Sequence, residues 1–343
     1  MFCEEKSAMK ILVTGGSGFI GSAFIRYLMM QTQHVVINVD KLTYAANSAC
    51  SVYEANLQRY RFYQADLTNL SIITQVIESE APDLIINFAA ETHVDRSIHG
   101  PNAFFQSNIV GTYNLLQAAL AYWQSLSVTK QASFRFHQVS TDEVYGELIN
   151  EFDPPFTELS PIKPSSPYSA SKASADNLVQ AWGKTYAMPT LITRSSNNYG
   201  PWQYMEKLIP VVINCIVKQE PIPIYGKGDQ QRNWLHVDDH VSALYCVLTQ
   251  GDVGQIYNIG SEDELKNIDL VKRVCRISAS LLKAEIDDVL KLITHVDDRQ
   301  GHDFRYALSS EKIKNALGWE PTISFDAGLA QTIEWYLAYY DER

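Results

Sequence analysis

Tyr168 and Lys172 stand four residues apart in a stretch that reads as helical. Residues at i and i+4 share one helix face, so the ammonium lies beside the phenol and lowers its pKa. A phenolate in that setting takes a proton from a sugar or alcohol hydroxyl while hydride leaves for a nicotinamide. Alone, the pair is common on helix surfaces. It gains meaning from Asp142 and Glu143, which follow Thr141 at the end of the run FRFHQVS. A simple dehydrogenase or epimerase needs no carboxylate pair there, but a dehydration does. Oxidation at one carbon acidifies the neighbouring C–H, a carboxylate removes that proton, and a neutral carboxyl protonates the departing hydroxyl. Two adjacent carboxyls divide this work if their surroundings separate their pKa values. Their spacing does not say which is acid and which is base.

A second group of residues points to the hydride carrier. Gly15, Gly18 and Gly21 follow the apolar run KILVT and open a helical pattern. The first glycine permits a tight turn, the second lets backbone approach a pyrophosphate, and the third allows close helix–strand packing. N–H groups of the first helical turn, at Phe19, Ile20 and Gly21, would face the phosphates. Asp40 ends the next apolar run, VVINV, and suits a ribose 2′-hydroxyl while repelling a 2′-phosphate. NAD is therefore favoured over NADP, although Lys41 next to it offers a cation.

The elements that must hold these residues alternate. Strands are expected at Lys10–Thr14, Val35–Val39, Arg61–Gln64, Leu84–Phe88, Phe134–Ser140 and Thr190–Arg194. Helices are expected at Phe19–Met30, Ser71–Ser79, Gly111–Tyr122 and Ala170–Tyr186. Such alternation predicts an α/β fold, a doubly wound and mostly parallel Rossmann sheet. Beyond Asn197, turn-rich segments mix with helices (Glu206–Lys218 and Asp239–Leu248), which predicts a smaller C-terminal substrate-binding lobe. The division is drawn as an NAD-binding domain over 9–196 and a lobe over 197–340, with some later segments returning to the sheet.

Composition narrows the classes. The 343 residues carry a formal charge of −11, with 28 Lys plus Arg against 39 Asp plus Glu. That balance argues against nucleic-acid and anionic-membrane binding. Five dispersed cysteines, Cys3, Cys50, Cys215, Cys246 and Cys275, include no CxxC pair, so neither a disulfide framework nor a metal site is expected. The N-terminus lacks the apolar core of a signal peptide, and no run approaches the ~20 apolar residues of a membrane span. A cytoplasmic protein is expected.

TGGSGFIGS, FAAETHVD, STDEVYG, PYSASKA and SNNYGP, with Asp66-Leu67, resemble the extended short-chain dehydrogenase/reductase family, in particular its nucleotide-sugar dehydratases. The likeness runs from about Met9 to Tyr340. It implies Tyr168 as the base for C4 oxidation with Lys172 as its electrostatic partner, Thr141 at the sugar, Asp142 as acid and Glu143 as base. It implies NAD contacts at Asp40, Lys41, Leu42, Thr43, Asp66, Leu67, Ala89, Ala90, Thr92, Ser107, Tyr168, Lys172 and Asn198. A nucleoside-diphosphate sugar, dTDP-glucose, would meet Thr92, His93, Asn197, Lys207, Leu208, Pro223, Ile224, Tyr225, Arg232, Asn267, Arg299, His302 and Tyr306. The resemblance also implies a homodimer built on the helices near Gly111–Tyr122 and Ala170–Tyr186. Ala46, Ser195 and Gln300 depart from the family pattern, where Gly, Cys and Pro are usual. Two other readings keep the fold: a nucleotide-sugar 4-epimerase or decarboxylase, and a noncatalytic NAD-binding protein.

Overall fold

The computed structural model describes residues 8–53, 56, 58–298 and 301–341. Seven strands form the main sheet: β1 (Lys10–Thr14), β2 (Val35–Asp40), β3 (Tyr60–Gln64), β4 (Leu84–Asn87), β5 (Arg135–Thr141), β6 (Thr190–Ser195) and, after three strands of other sheets, β10 (Ile256–Ile259). Their order is β10-β6-β5-β4-β1-β2-β3, and the pairings from β3 across to β5 are all parallel. Strands such as β1 (KILVT) and β4 (LIIN) are short apolar runs buried along nearly their whole length, as a sheet covered on both faces requires. The remaining strands are β7 (Asn197–Tyr199), β8 (Ile222–Tyr225), β9 (Gln231–His236), β11 (Glu264–Lys266) and β12 (Ile293–Val296). They make a three-stranded sheet, β11-β9-β7, and a parallel β8–β12 pair.

The chain divides into two compact units that interleave along the sequence. The first gathers the chain up to Ser140 with Ala170–Thr193 and Leu244–Ile256. The second gathers Thr141–Ser169, Arg194–Ala243 and the chain from Tyr257 onward. The sequence reading divides the chain at 196/197 with some later segments returning to the first domain; residues 244–256 group with the first unit, and 141–169, which the reading kept in the first domain, group with the second. Each unit has its own core. Leu12, Ile37, Ile85, Leu115, Phe136 and Ile192 centre the first, and Ile213, Ile216, Trp234, Val274 and Ile333 the second. No helix among the described residues is long and apolar enough to cross a membrane.

Two local differences from the sequence reading bear on function. The helix expected from Ala170 begins at Pro167. Ser166 and Ser169 exchange hydrogen bonds (Ser166 N to Ser169 Oγ at 2.9 Å, Ser169 N to Ser166 Oγ at 3.0 Å), and proline at the first helical position needs no N–H acceptor. Tyr168 is thus already helical, one turn before Lys172. Ahead of the Gly111–Ser125 helix lies a π-helical turn, Phe105–Val110, a form that no hydrophobic periodicity announces.

Candidate active site

In the first unit the three glycines have separable roles. Gly15 has φ +66°, and a Cβ there would fall 2.6 Å from Ala89 N; a Cβ on Gly21 would fall 2.2 Å from Gly15 O. Both glycines are demanded by the turn itself. At Gly18 an added Cβ would meet only Gly15 O, at 3.3 Å, so this position leaves the backbone uncovered. The first intrahelical bond runs from Ser22 N to Gly18 O, so the N–H groups of Phe19, Ile20 and Gly21 precede the ladder. A bare turn with outward N–H donors fits a dinucleotide pyrophosphate.

Asp40 accepts from Ser17 N through Oδ2 (2.9 Å) and from Leu42 N through Oδ1 (2.8 Å). Each carboxylate oxygen keeps acceptor capacity for a ribose hydroxyl. Lys41 does not stand open to a phosphate. Its Nζ donates to Ser107 Oγ at 2.8 Å and lies 3.8 Å and 3.9 Å from the carboxylates of Asp66 and Glu91. The fold thereby brings Lys41, Asp66 and Ser107 together and sets two carboxylates against the cation next to Asp40. Leu67 packs into the core, Ala89 and Ala90 are half-buried, and Leu42 is exposed at φ 58°. Thr43 O accepts from Ala46 N, and Ala46 has no positive φ, which explains why alanine is tolerated there.

Asn108, which the sequence reading passed over, ties this region to the helix that carries Tyr168 and Lys172. Fully buried in the π-turn, it accepts from Glu91 N (2.8 Å) and donates to Glu91 O (3.0 Å) and to Ser171 Oγ (2.8 Å). Ser171 immediately precedes Lys172. The Lys172 ammonium is buried and donates to Val139 O at 2.7 Å. Burial pulls its pKa down to about 8, against the opposing charge of Asp176. Thr92 is exposed and His93 caps the Val94–His99 helix, accepting from Arg96 N; both belong to the first unit.

In the second unit, Thr141 closes β5 and caps the short turn Asp142–Tyr145. Its Oγ1 accepts from Glu143 N (3.3 Å) and donates to Asp142 Oδ1 (3.2 Å). Asp142 is 2% exposed, and its Oδ2 has no hydrogen-bond partner among the described residues. Burial, and then the charge of Glu143, push its pKa up to about 7; the Thr141 hydroxyl and Arg232 oppose the rise. The half-buried Glu143 also raises the Tyr306 phenol, after burial itself. Arg232 donates to the carbonyls of Gln231 (2.7 Å), Asp303 (2.9 Å) and Phe304 (3.3 Å), and its guanidinium stacks 4.3 Å from the Tyr306 ring centroid. The carboxyl pair, Arg232 and Tyr306 therefore share one neighbourhood. Tyr168 is buried on its helix.

The other expected substrate contacts are spread through this unit. His302 Nδ1 pairs with Asp298 Oδ1 at 2.6 Å, and its ring meets Tyr225 edge-on at 6.0 Å. Asn197 Oδ1 and Asn267 Oδ1 are buried without a hydrogen-bond partner among the described residues, as acceptors reserved for a ligand would be. Lys207 precedes the helix that starts at Leu208. On β8, Pro223 and Tyr225 face outward, but the Ile224 side chain lies in the core, so only its backbone is available to a substrate. Asn198 Oδ1 accepts from Nδ1 of the buried His240, whose pKa burial lowers to about 3. The neutral ring therefore carries its proton on Nδ1. Arg299 and Gln300 lie outside the described residues.

The sequence profile of the GDP-mannose 4,6 dehydratase family matches residues 12–332. A dTDP-glucose 4,6-dehydratase of Haemophilus influenzae is 53% identical over 332 residues, covering 96% of this chain and 98% of that protein. dTDP-glucose 4,6-dehydratase 1 of Escherichia coli K12 is 51% identical over 337 residues, 96% of this chain and 93% of that one. Among solved structures, the dTDP-glucose 4,6-dehydratase of Streptomyces venezuelae with NAD bound superposes with a TM-score of 0.88 at 39% identity, covering 97% of this chain and 98% of that one. Glycine turn, carboxyl pair and tyrosine–lysine helix thus occur in a chain that belongs to the family of nucleotide-sugar 4,6-dehydratases.

Proposed function

We propose that this protein dehydrates dTDP-glucose to dTDP-4-keto-6-deoxyglucose with NAD. The observation that carries the reading is Asp142: a buried carboxyl kept protonated toward neutral pH, beside a half-buried carboxylate. Epimerisation and decarboxylation call for no such acid. Gly15, Gly18, Gly21, Asp40, Asp66 and Ser107 would hold the cofactor, which when bound would accept hydride from sugar C4 and give it back at C6. Tyr168 removes the O4 proton, and the Lys172 ammonium stabilises its phenolate. Thr141 orients the hydroxyl at C4. With C4 oxidised, Glu143 takes the C5 proton as Asp142 protonates the C6 hydroxyl, which leaves as water. Glu143 then returns its proton to C5 as C6 is reduced. Arg232 offers a cationic contact to the diphosphate, and His302 a ring nitrogen.

Incubation with dTDP-glucose should yield the alkali-developed chromophore of a 4-keto sugar. Absence of product, or faster turnover of UDP-glucose or GDP-mannose, overturns the substrate assignment; equal use of NADP overturns the cofactor assignment. The enzyme works in the cytoplasm as a homodimer. Support for the pairing comes from an aromatic cluster on two helices of the first unit: Tyr113 packs edge-on against Trp182, and Trp182 against Tyr186, with both tyrosines more than a third exposed. Sedimentation should return twice the chain mass, and a monomer at micromolar concentration would rule the dimer out.

A further inference from the structure

Asp303 has no part in the scheme above, yet it is 5% exposed and one of its oxygens is used twice. Oδ2 accepts hydrogen bonds from the Ser165 hydroxyl and from the Tyr306 phenol. Its backbone carbonyl meanwhile accepts from Arg232 Nη2. Each partner leads to a different part of the proposed chemistry. Tyr306 lies under the Arg232 guanidinium and feels the charge of Glu143. Ser165 stands directly before the Ser166–Ser169 cap that starts the Tyr168 helix. The neighbouring residues are equally tied down: Phe304 N donates to Glu147 Oε2 at 2.8 Å, and Arg305 makes a two-pronged contact with Glu264 at 2.7 Å and 2.8 Å. A carboxylate accepting two hydroxyl protons is a strong, directional anchor. Burying it for structure alone would be costly where an apolar residue could fill the space.

We propose that Asp303 is a positioning residue for the dehydration, a single carboxylate oxygen that holds Tyr306 against Arg232 beside the Asp142–Glu143 pair and holds Ser165 at the entry to the Tyr168 helix. The inference rests on the dehydratase reading. Because Tyr306 donates its proton to Asp303, the phenol and the guanidinium above it keep one orientation toward the carboxyl pair. The same oxygen links the segment that carries His302 to the turn that carries the base.

The test compares wild type, Asp303→Asn, Tyr306→Phe and the double variant with dTDP-glucose and NAD. Readouts are kcat, KM, the pH profile of kcat and the thermal midpoint. Asp303→Asn should stay folded, lose at least tenfold in kcat with less than threefold change in KM, and displace the basic limb of its pH profile. The double variant should be slower than wild type by less than the product of the two single losses, because both changes break one contact. Wild-type kcat with an unchanged pH profile in folded Asp303→Asn overturns the inference, and so do multiplicative losses in the double variant. Should Asp303→Asn fail to fold, Ser165→Ala and Tyr306→Phe each remove one arm, and wild-type kcat in both overturns it equally. Wild-type protein inert toward dTDP-glucose refutes the functional reading instead, so that assay comes first.

Discussion

At the scale of single residues, the adjacent carboxyls are told apart by burial. Asp142 is enclosed and Glu143 only half so, and this asymmetry supports the proposed acid role of Asp142, which the spacing alone left open and the family resemblance implied. An acid with pKa about 7 is competent below that value and loses its proton above it. The rate of water elimination should therefore fall as pH rises through about 7, whereas sugar oxidation should not follow that limb. Asp142→Asn should spare oxidation, visible as NADH absorbance in a single turnover, and cut overall kcat about a hundredfold or more. Tyr168→Phe should abolish both. Unchanged product formation in Asp142→Asn together with Glu143→Gln would exclude the carboxyl mechanism.

At the scale of elements, the cofactor turn makes a sharper prediction than its motif does. The three glycines look alike in sequence, but only Gly15 and Gly21 are hemmed in by backbone. Gly21→Ala should unfold or strongly destabilise the first unit, since its Cβ would sit 2.2 Å from a carbonyl oxygen. Gly18→Ala should fold with a thermal midpoint close to wild type when stripped of cofactor, yet bind NAD about tenfold more weakly or worse, because in the proposed site its methyl group would stand where phosphate is to approach. Titration of NAD against both stripped variants checks the contrast, and equal NAD affinity in Gly18→Ala and wild type would remove Gly18 from the site. Strands such as β1, β2 and β4 were legible as short, nearly continuous apolar runs ending at a turn residue, whereas β10 of the same sheet and the strands outside it, among them QRNWLH and ELK, carry no such run and were not expected. The start of the Tyr168 helix was less so: PSSPYS reads as a loop until Ser166 and Ser169 are seen to satisfy each other's N–H groups. The π-turn carrying Ser107 and Asn108 has no sequence period at all, and Asn108 matters only through partners 17 and 63 residues away. The same holds for Asp303, whose hydroxyl partner Ser165 is 138 residues distant.

At the scale of the whole molecule, the charge of −11 does not say where individual cations stand or what they hold. Lys41 is held by Ser107, Asp66 and Glu91, and Arg232 spends three donor contacts on backbone carbonyls, so local arrangement rather than net charge decides where an anion binds. The buried carboxyl proposed as the acid also has a cost for folding. Asp142 titrates near its ordinary 3.8 in the unfolded chain and at about 7 in the folded protein, so the folded state holds more protons between those values. Stability from this group is then fully present below about pH 3.8 and is lost as pH rises toward 7, by about 4 kcal/mol for a shift of this size. Asp142→Asn keeps the shape without the charge. It should be more stable than wild type at pH 8, with the difference shrinking steadily toward pH 5. Urea unfolding of both proteins across that range measures it directly. A stability difference independent of pH would mean that Asp142 is ionised in the folded protein, and the acid of the elimination would have to be sought elsewhere.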